Sequence, residues 1–398
     1  MHNRYNKTMT ACFIGYIVQA VVNNFVPLLF LTFHKSFSIP LSRITLLVTF
    51  NFAIQLLVDI LSVTFVDRIG YRASMILAHL FSALGLAGLT FLPQITPDPF
   101  AGIMICVVLY AIGGGLLEVL VSPVVESCPS DNKEKAKSML HSFYCWGHVG
   151  VVLLSTLFFR IFGISHWRIL ALVWAVIPLV NLVAFTRVPM APLLKEGERG
   201  MRIRELFGTR LFWILFIMMI CSGASEQSVS QWASTFAEKG LGVPKTVGDL
   251  AGPMAFAVLM GSARAFYGKY GDRIDLDRFM TASCALCIAA YLCIALVQSP
   301  AVSLIGCAVC GFSVGIMWPG TFSKSTKTLP RGGTAMFALL ALAGDVGCSG
   351  GPTLVGFVSS ALGDNLKMGI LAGVLFPVLL LGGILLLKTF KRKQEETV

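Results

Sequence analysis

The sequence predicts an all-α integral membrane protein with twelve transmembrane helices in two pseudo-symmetric six-helix bundles. Of its 398 residues, 56% are hydrophobic and 13% are charged, whereas a soluble domain carries roughly 25% charged residues. The apolar residues form continuous runs of about 20, the length that a helix needs to cross the hydrocarbon core of a bilayer. A membrane β-barrel would instead show short alternating segments, so the pattern favours a helical membrane protein.

Twelve apolar runs, one for each predicted helix, follow one another along the chain. Those of the first half cover residues 9–33, 42–65, 73–92, 101–124, 138–161 and 167–186. Those of the second half cover residues 210–236, 247–268, 279–298, 301–323, 334–358 and 366–387. The longest polar stretch, residues 187–210, lies between the two groups. We therefore predict an N-terminal bundle over 1–187, a cytoplasmic linker over 188–209, and a C-terminal bundle with a short basic tail over 210–398.

The basic residues are distributed unevenly between alternate loops, and this distribution predicts the orientation. With both termini in the cytoplasm, 23 of the 31 Lys and Arg lie inside, 7 lie outside, and Arg264 lies at the inner end of the eighth helix. This excess follows the positive-inside rule. The net charge of +11 is therefore a topology signal and not a nucleic-acid footprint. We expect a monomeric, multi-pass protein of the cell membrane (plasma or inner membrane), in contact with the lipid bilayer.

Patterns typical of enzymes and metal sites are missing or poorly placed. The sequence contains no HExxH motif or phosphate loop, its helical runs provide no strand-to-helix turn for a nucleophile elbow, and its inner loops are too short for a soluble catalytic or sensor domain. Two Cys-x-x-Cys pairs, at 284/287 and 307/310, have zinc-like spacing. They fall on different predicted helices, about 13 Å apart in depth, so four ligands cannot converge on one ion. We expect no enzymatic activity and no metal.

Short patterns recur at separations of 200–205 residues and indicate duplication of a six-helix unit, as in many transporter folds. The matched positions are Asp59 with Arg264, Asp67-Arg68-Ile69 with Asp272-Arg273-Ile274, Gly147 with Gly347, Gly150 with Gly350, and Thr32-Phe33 with Thr235-Phe236.

This organisation resembles the major facilitator superfamily along essentially the whole chain. The family signature after the second helix is roughly G-x-x-x-D-R-x-G-R, and here it reads Val63-x-x-x-Asp67-Arg68-Ile69-Gly70-Tyr71-Arg72, without the leading glycine. The second half keeps that glycine in Gly268-x-x-x-Asp272-Arg273. An Asp at such a turn can cap a helix or pair with Arg. We interpret seven residues as a conformational latch, with plain topogenic charge as the alternative: Asp59, Asp67, Arg68, Arg72, Arg264, Asp272 and Arg273.

Glu118 lies within the apolar run of the fourth helix, about nine residues or roughly 13 Å from its inner end. Ala111, Gly114, Gly115 and Ser122 share its helical face, which is small and polar, as a cavity or a close helix contact requires. An ionised carboxylate is costly in hydrocarbon. Glu118 is therefore either a proton carrier or a protonated or paired group that holds helices together.

The pattern Gly115-x-x-Glu118-x-x-x-Ser122-Pro123 resembles the fourth helix of the fucose permease branch, where Asn-Pro follows the glutamate. Residues Met317–Ser323, "MWPGTFS", resemble the Pro-x-x-Phe-Ser of that branch's tenth helix. The resemblance implies a monosaccharide–proton symporter in which the glutamate takes part in coupling. The branch can also carry an aspartate four residues before a proline in the first helix. Here that position is Asn23, so the coupling scheme does not transfer intact.

The internal repeat suggests how the second half compensates, because it sets Asn23 against Glu226, Asn24 against Gln227, and Glu118 against Trp318. Amides donate and accept hydrogen bonds to hydroxyls, and an indole can stack on a sugar, although such residues also serve as contacts between helices. Our substrate-binding candidates are Gln19, Asn23, Asn24, Tyr144, Gln227, Gln231, Trp232 and Trp318. Our proton-coupling candidates are Glu118, Glu226, Asp345 on the eleventh helix, and His148 on the fifth, which brackets the depth of Glu118 together with Tyr144.

These features favour a secondary active transporter that works by alternating access. We expect proton-coupled uptake of a small polar solute such as a monosaccharide, with the proton as coupling ion and no cofactor. The alternative is proton-coupled export of an amphipathic or cationic compound, which acidic residues would attract and a methionine-rich, aromatic wall would tolerate.

Overall fold

The computed structural model describes residues 2–128, 133–190, 201, 203–270 and 274–395, and this part of the chain is almost entirely helical. The main helices of the first half are α1 (His2–Asn24), α2 (Leu41–Ile69), α3 (Tyr71–Gly88), α4 (Pro99–Ser127), α5 (Lys133–Phe162) and α6 (Trp167–Arg187). Those of the second half are α7 (Arg210–Ser230), α8 (Ala255–Tyr270), α9 (Leu276–Leu296), α10 (Pro300–Val314), α11 (Gly333–Ala361) and α12 (Leu375–Glu395).

The helix count agrees with the sequence prediction. Among the described residues, eleven helical spans are long and apolar enough to cross a membrane. The remaining helix, α3, carries Arg72 near its start and His79 at its middle, and these polar residues lower its hydropathy. It packs between α4 and α6 and completes the first bundle of six. The predicted fold class, an all-α membrane protein of two six-helix bundles, is confirmed.

Several spans are interrupted where the sequence predicted continuous helices. The first span changes after α1 to a 3-10 turn, Val26–Leu29, and then to a short helix, Phe30–Phe37. Pro27 lies in that turn, where its missing N–H prevents regular helical hydrogen bonding. A π-helical turn, Leu250–Met254, contains Pro253 just before α8. The tenth span continues after α10 as Met317–Thr328.

The predicted duplication is visible in the packing of corresponding glycines. A Cβ added at Gly147 would lie 3.0 Å from the Cβ of Ala20 on α1, and one added at Gly347 would meet the Ile220 carbonyl on α7. By contrast, Gly150 and Gly350 both have open space around that position. Buried and partly exposed positions also follow the same order in residues 111–125 and 311–325. The contact of α5 with α1 therefore matches that of α11 with α7.

Several polar contacts join the two bundles on one side of the membrane. We call the side with the chain ends the terminal face and the other side the far face. On the far face, Lys35 and Glu238 form an ion pair of 2.9 Å between the bundles. Lys245 Nζ donates to the Leu28 carbonyl of the first bundle at 2.7 Å. Lys245 also forms an ion pair of 3.1 Å with Asp249, and Asp249 accepts a hydrogen bond from Thr156 of the first bundle.

The close approach of α11 to α7 gives a test of this packing. We expect Gly347→Ala to lower the melting temperature of the detergent-solubilised protein, because the new methyl group collides with backbone atoms that cannot move independently. Overpacking of this kind destabilises by about 1–3 kcal/mol. Gly350→Ala, one helical turn away in open space, is the matched control and should leave the melting temperature unchanged. Equal effects of the two substitutions would contradict the packing described here.

Candidate functional site

Polar side chains from both bundles converge in the middle of the spans. On α2, Asn51, Gln55 and Asp59 follow one another at intervals of four residues, which places them on one helical face. Gln19 and Asn23 do the same on α1. Because these stripes interrupt otherwise apolar helices, their side chains need partners within the protein.

A chain of hydrogen bonds links the amide groups of the two bundles. Asn23 Oδ1 accepts from Gln55 Nε2 at 2.8 Å and from Asn51 Nδ2 at 3.2 Å. Its backbone carbonyl accepts from Gln231 Nε2 of the second bundle at 3.1 Å. Gln231 also donates to Gln227 Oε1 at 3.0 Å. Asn23 therefore connects α1, α2 and the end of α7.

The network continues into an ion pair in the second bundle. Gln227 Nε2 donates to Glu226 Oε1 at 3.4 Å, and Arg264 Nη2 donates to Glu226 Oε2 at 3.1 Å. Arg264 also contacts the Gly315 carbonyl at 3.4 Å and the Cys145 sulfur of the first bundle at 3.3 Å. Both members of the pair are largely removed from solvent, with side chains 22% and 10% exposed. Each therefore depends on the other for compensation of its charge.

Glu118 lies in the first bundle, on the α4 face that turns towards α1. Gln19 Nε2 donates to Glu118 Oε2 at 2.9 Å, and one turn away Tyr16 Oη and Ser122 Oγ are 3.1 Å apart. Glu118 is partly exposed, and among the described residues it forms no ion pair with a cation. Its carboxyl is therefore held by a neutral amide, a partner compatible with either protonation state.

Three further candidates, Asp345, Tyr144 and Trp318, each have a different set of neighbours. The carboxyl of Asp345 on α11 lies against that of Asp59 on α2, so the two bundles also meet through acids. Tyr144 on α5 is half-buried and reaches the side chains of Asn23 and Asn24. Trp318 is half-buried and contacts the ring of Phe322.

Two candidates lie differently from what the sequence suggested. Trp232 is fully buried, packs on Phe30, and donates its indole N–H to the Pro352 carbonyl at 2.9 Å. It therefore closes the contact between bundles, with no polar atom left for a solute. His148 is buried, and the hydrogen bonds found among the described residues do not join it to Glu118.

The fold and the family can be compared with known proteins. A model of the Major Facilitator Superfamily matches residues 9–352, which is most of the chain. The protein belongs to this superfamily. The family assignment made from the signature loops and the internal repeat is thereby confirmed.

Relatives within the superfamily are distant. A membrane protein named MosC from Rhizobium meliloti is 24% identical over 263 residues, which span 65% of this chain and 61% of that protein. A homolog of the multi-drug resistance efflux pump PmrA from Lactococcus lactis is 22% identical over 308 residues, 74% of this chain and 73% of the relative.

Solved structures share the fold at low sequence identity. The crystal structure of a D-xylose–proton symporter superposes with a TM-score of 0.76 at 13% identity, covering 95% of this chain and 97% of the other. The E. coli fucose–proton symporter FucP superposes with a TM-score of 0.67 at 17% identity, covering 96% and 99%. At these identities the likeness establishes the superfamily fold.

The superfamily signature loops contribute differently from the predicted latch. Arg72 donates to the carbonyls of Phe185, Thr186 and Val188 at 2.7–3.0 Å, so it caps the end of α6 within one bundle. Arg264, expected at the inner end of the eighth helix, lies within that span, six residues before the end of α8, and pairs with Glu226. Asp59 likewise lies within its span. The side chains of Asp67 and Arg68, and residues Asp272 and Arg273 altogether, lie outside the described part, as do residues 191–200 and 202 of the predicted linker.

Sequence reasoning missed Asn51 and Gln55, although their spacing with Asp59 was a usable signal. It also missed the far-face cluster around Asp249, which is fully buried between Ser234, Thr156 and Lys245. That cluster borders a cavity of about 320 Å³ on the far face. Lys245 and Asp249 were separated by the predicted helix boundary, which concealed their spacing of four residues.

The ion pair between Arg264 and Glu226 predicts a specific pattern of stabilities. We expect Arg264→Met to lower the free energy of unfolding by about 3 kcal/mol, because it leaves a buried carboxylate without its cation. The double variant Glu226→Gln/Arg264→Met removes both charges and should recover part of this loss. The measurement is thermal unfolding of the purified variants. A double variant less stable than Arg264→Met alone would show that the pair does not compensate charge.

Proposed function

We propose that the protein is a secondary active transporter that works by alternating access and couples the uptake of a small polar solute, such as a monosaccharide, to protons. The observation that carries the proposal is Glu118, a partly exposed carboxyl in mid-span that is held by Gln19 and paired with no described cation. The uneven distribution of basic residues supports cytoplasmic termini in a plasma or inner membrane, and a monomer is sufficient for the mechanism.

The amide network supports a solute rich in hydroxyl groups. Asn51 Oδ1 and Gln55 Oε1 are buried without a hydrogen-bond partner among the described residues, which is costly unless a donor reaches them. Both side chains donate a hydrogen bond to Asn23 Oδ1 through their amide nitrogens. Gln231 Nε2 of the second bundle donates to the backbone carbonyl of the same residue. A polyol that exchanged bonds with these amides would change the link between bundles. The solved relatives named as D-xylose and fucose symporters share the fold and agree with this class of solute.

The distribution of charge supports Glu118 as the coupling residue. Arg264 compensates Glu226 at 3.1 Å, so Glu226 serves the network as an ion-pair partner. Glu118 instead has a neutral partner and partial access to solvent, the two conditions for taking up and releasing a proton. When Glu118 is ionised its bond to Gln19 strengthens, and when it is neutral the bond weakens. Protonation can therefore change the contact between α1 and α4.

Neutralising this carboxyl tests the proposal. We expect Glu118→Gln to abolish accumulation of the solute driven by a pH gradient and to leave exchange of the solute across the membrane intact. During exchange the transporter changes conformation only with solute and proton bound. The glutamine amide mimics the protonated carboxyl, so this step remains possible. Both activities are measured in proteoliposomes with the purified protein.

The control is Asp98→Asn, which removes an exposed acid paired with Arg43 on the far face. Because surface ion pairs contribute little, this variant should accumulate the solute like the wild type. Uphill uptake by Glu118→Gln at the wild-type level would overturn the assignment of the coupling residue.

Export of a cationic or amphipathic compound is the second candidate, and one observation favours it. Asp59, Glu118 and Asp345 have no cationic partner among the ion pairs of the described residues, whereas Arg264 is already paired. The central region therefore carries more acidic than basic groups and can attract cations. The relative named as an efflux pump homolog supports the same possibility.

Ligand-induced stabilisation distinguishes the two candidates. A ligand that binds the folded protein stabilises it by mass action, by about 2.7 kcal/mol at a hundredfold excess over Kd. This stabilisation raises the melting temperature. We expect monosaccharides to produce such a shift, and Asn23→Leu to abolish it by removing the centre of the amide network. A shift with cationic drugs and none with sugars would favour export.

A further inference from the structure

A contact between two acidic residues, Asp59 and Asp345, lies at the seam of the two bundles. Asp59 is ten residues from the terminal-face end of α2, and Asp345 is twelve residues from the terminal-face end of α11. At 1.5 Å per residue these positions are roughly 15 and 18 Å deep. The helices run in opposite directions, so the two carboxyls meet at the same depth.

The contact itself requires a proton. The two carboxyl groups lie against each other, and two like charges in contact cannot both ionise in a site largely removed from water, so the favoured state keeps one hydrogen between them. Asp345 is 5% exposed, and Asp59 Oδ1 is buried without a partner among the described residues. None of the ion pairs in the described part of the chain includes either residue, so none of the described cations compensates the two carboxyls.

The described residues around the pair supply no other compensating charge. The titratable groups that face the pair are Glu118 on α4, Tyr16 on α1 and Cys348 on α11, all neutral or acidic. On α7, Glu226 is turned to Arg264. Elsewhere on the seam, α2 and α11 are joined by uncharged groups, with Thr49 Oγ1 and Thr353 Oγ1 2.5 Å apart and Ser349 donating to the Thr49 carbonyl.

We propose that Asp59 and Asp345 share a single proton, and that this proton fastens α2 of one bundle to α11 of the other in the conformation seen here. Loss of the proton to water leaves two carboxylates in contact, and their repulsion separates the helices. No bond other than the shared hydrogen bond changes. The pair is thus a second proton site, distinct from Glu118. Its protonation controls the contact between the two bundles. Only its role in a transport cycle rests on the proposed function.

The proposal predicts a pH-dependent stability with a defined sign. The contact stabilises this conformation while the proton is bound and is lost as the pH rises through its release. Asp345→Asn replaces the shared proton with a permanent amide donor. We expect the wild type to lose several degrees of melting temperature between neutral and alkaline pH. Asp345→Asn and Asp59→Asn should each be stable across the same range, and Asp345→Ala, which has no donor, should be destabilised at every pH.

Two further measurements keep the result decisive. The carboxyl absorption of the wild type in infrared difference spectra should show one proton released in this range, and either Asn variant alone should remove that signal completely. Glu118→Gln should keep it, so a failure of the proposed function at Glu118 is distinguishable from a failure here. Two independent signals, each lost in one Asn variant, would overturn the shared proton. So would an alkaline loss of stability that persists in both Asn variants.

Discussion

Compensation of charge inside the membrane is the constraint on which the arrangement of this protein depends. Arg264 lies within α8, six residues before its end, and can remain in the span because Glu226, the Gly315 carbonyl and Cys145 surround its guanidinium. The carboxylate it faces lies on α7, and the sulfur lies on the other bundle. One buried cation therefore fixes the relative positions of three helices, and Gln227, which donates to Glu226, continues the link into the amide network.

The same constraint explains why the bundles are joined by polar groups of different kinds. Near the far face, charged pairs such as Lys35 with Glu238 are partly solvated and join the bundles directly. Midway, neutral amides centred on Asn23 carry the connection without charge to compensate. Closer to the terminal face, the contact between Asp59 and Asp345 holds only with a proton. These links can be exchanged one for another as the bundles move, whereas the apolar packing of glycines within each bundle cannot.

Much of this architecture was predictable from residue patterns. Continuous apolar runs, a central polar stretch and repeated motifs were sufficient for twelve helices in two bundles, because the bilayer demands a helix of fixed length wherever the chain crosses it. Glu118 was predictable for a related reason, since one carboxylate in an apolar run is conspicuous. The breaks at Pro27 and Pro253 were harder to place, because apolar composition is the same on either side of an interruption.

The sequence by itself determined the number of spans, their grouping and the helical face on which each polar residue lies, because hydrophobic length and the 3.6-residue period are local properties. Only the tertiary structure decided which polar groups became partners. Arg264 and Asp59 have similar positions in the internal repeat, yet one meets a carboxylate within its own bundle and the other meets a carboxyl of the opposite bundle. That difference depends on how helices distant in the chain are rotated and brought together, which no local pattern records.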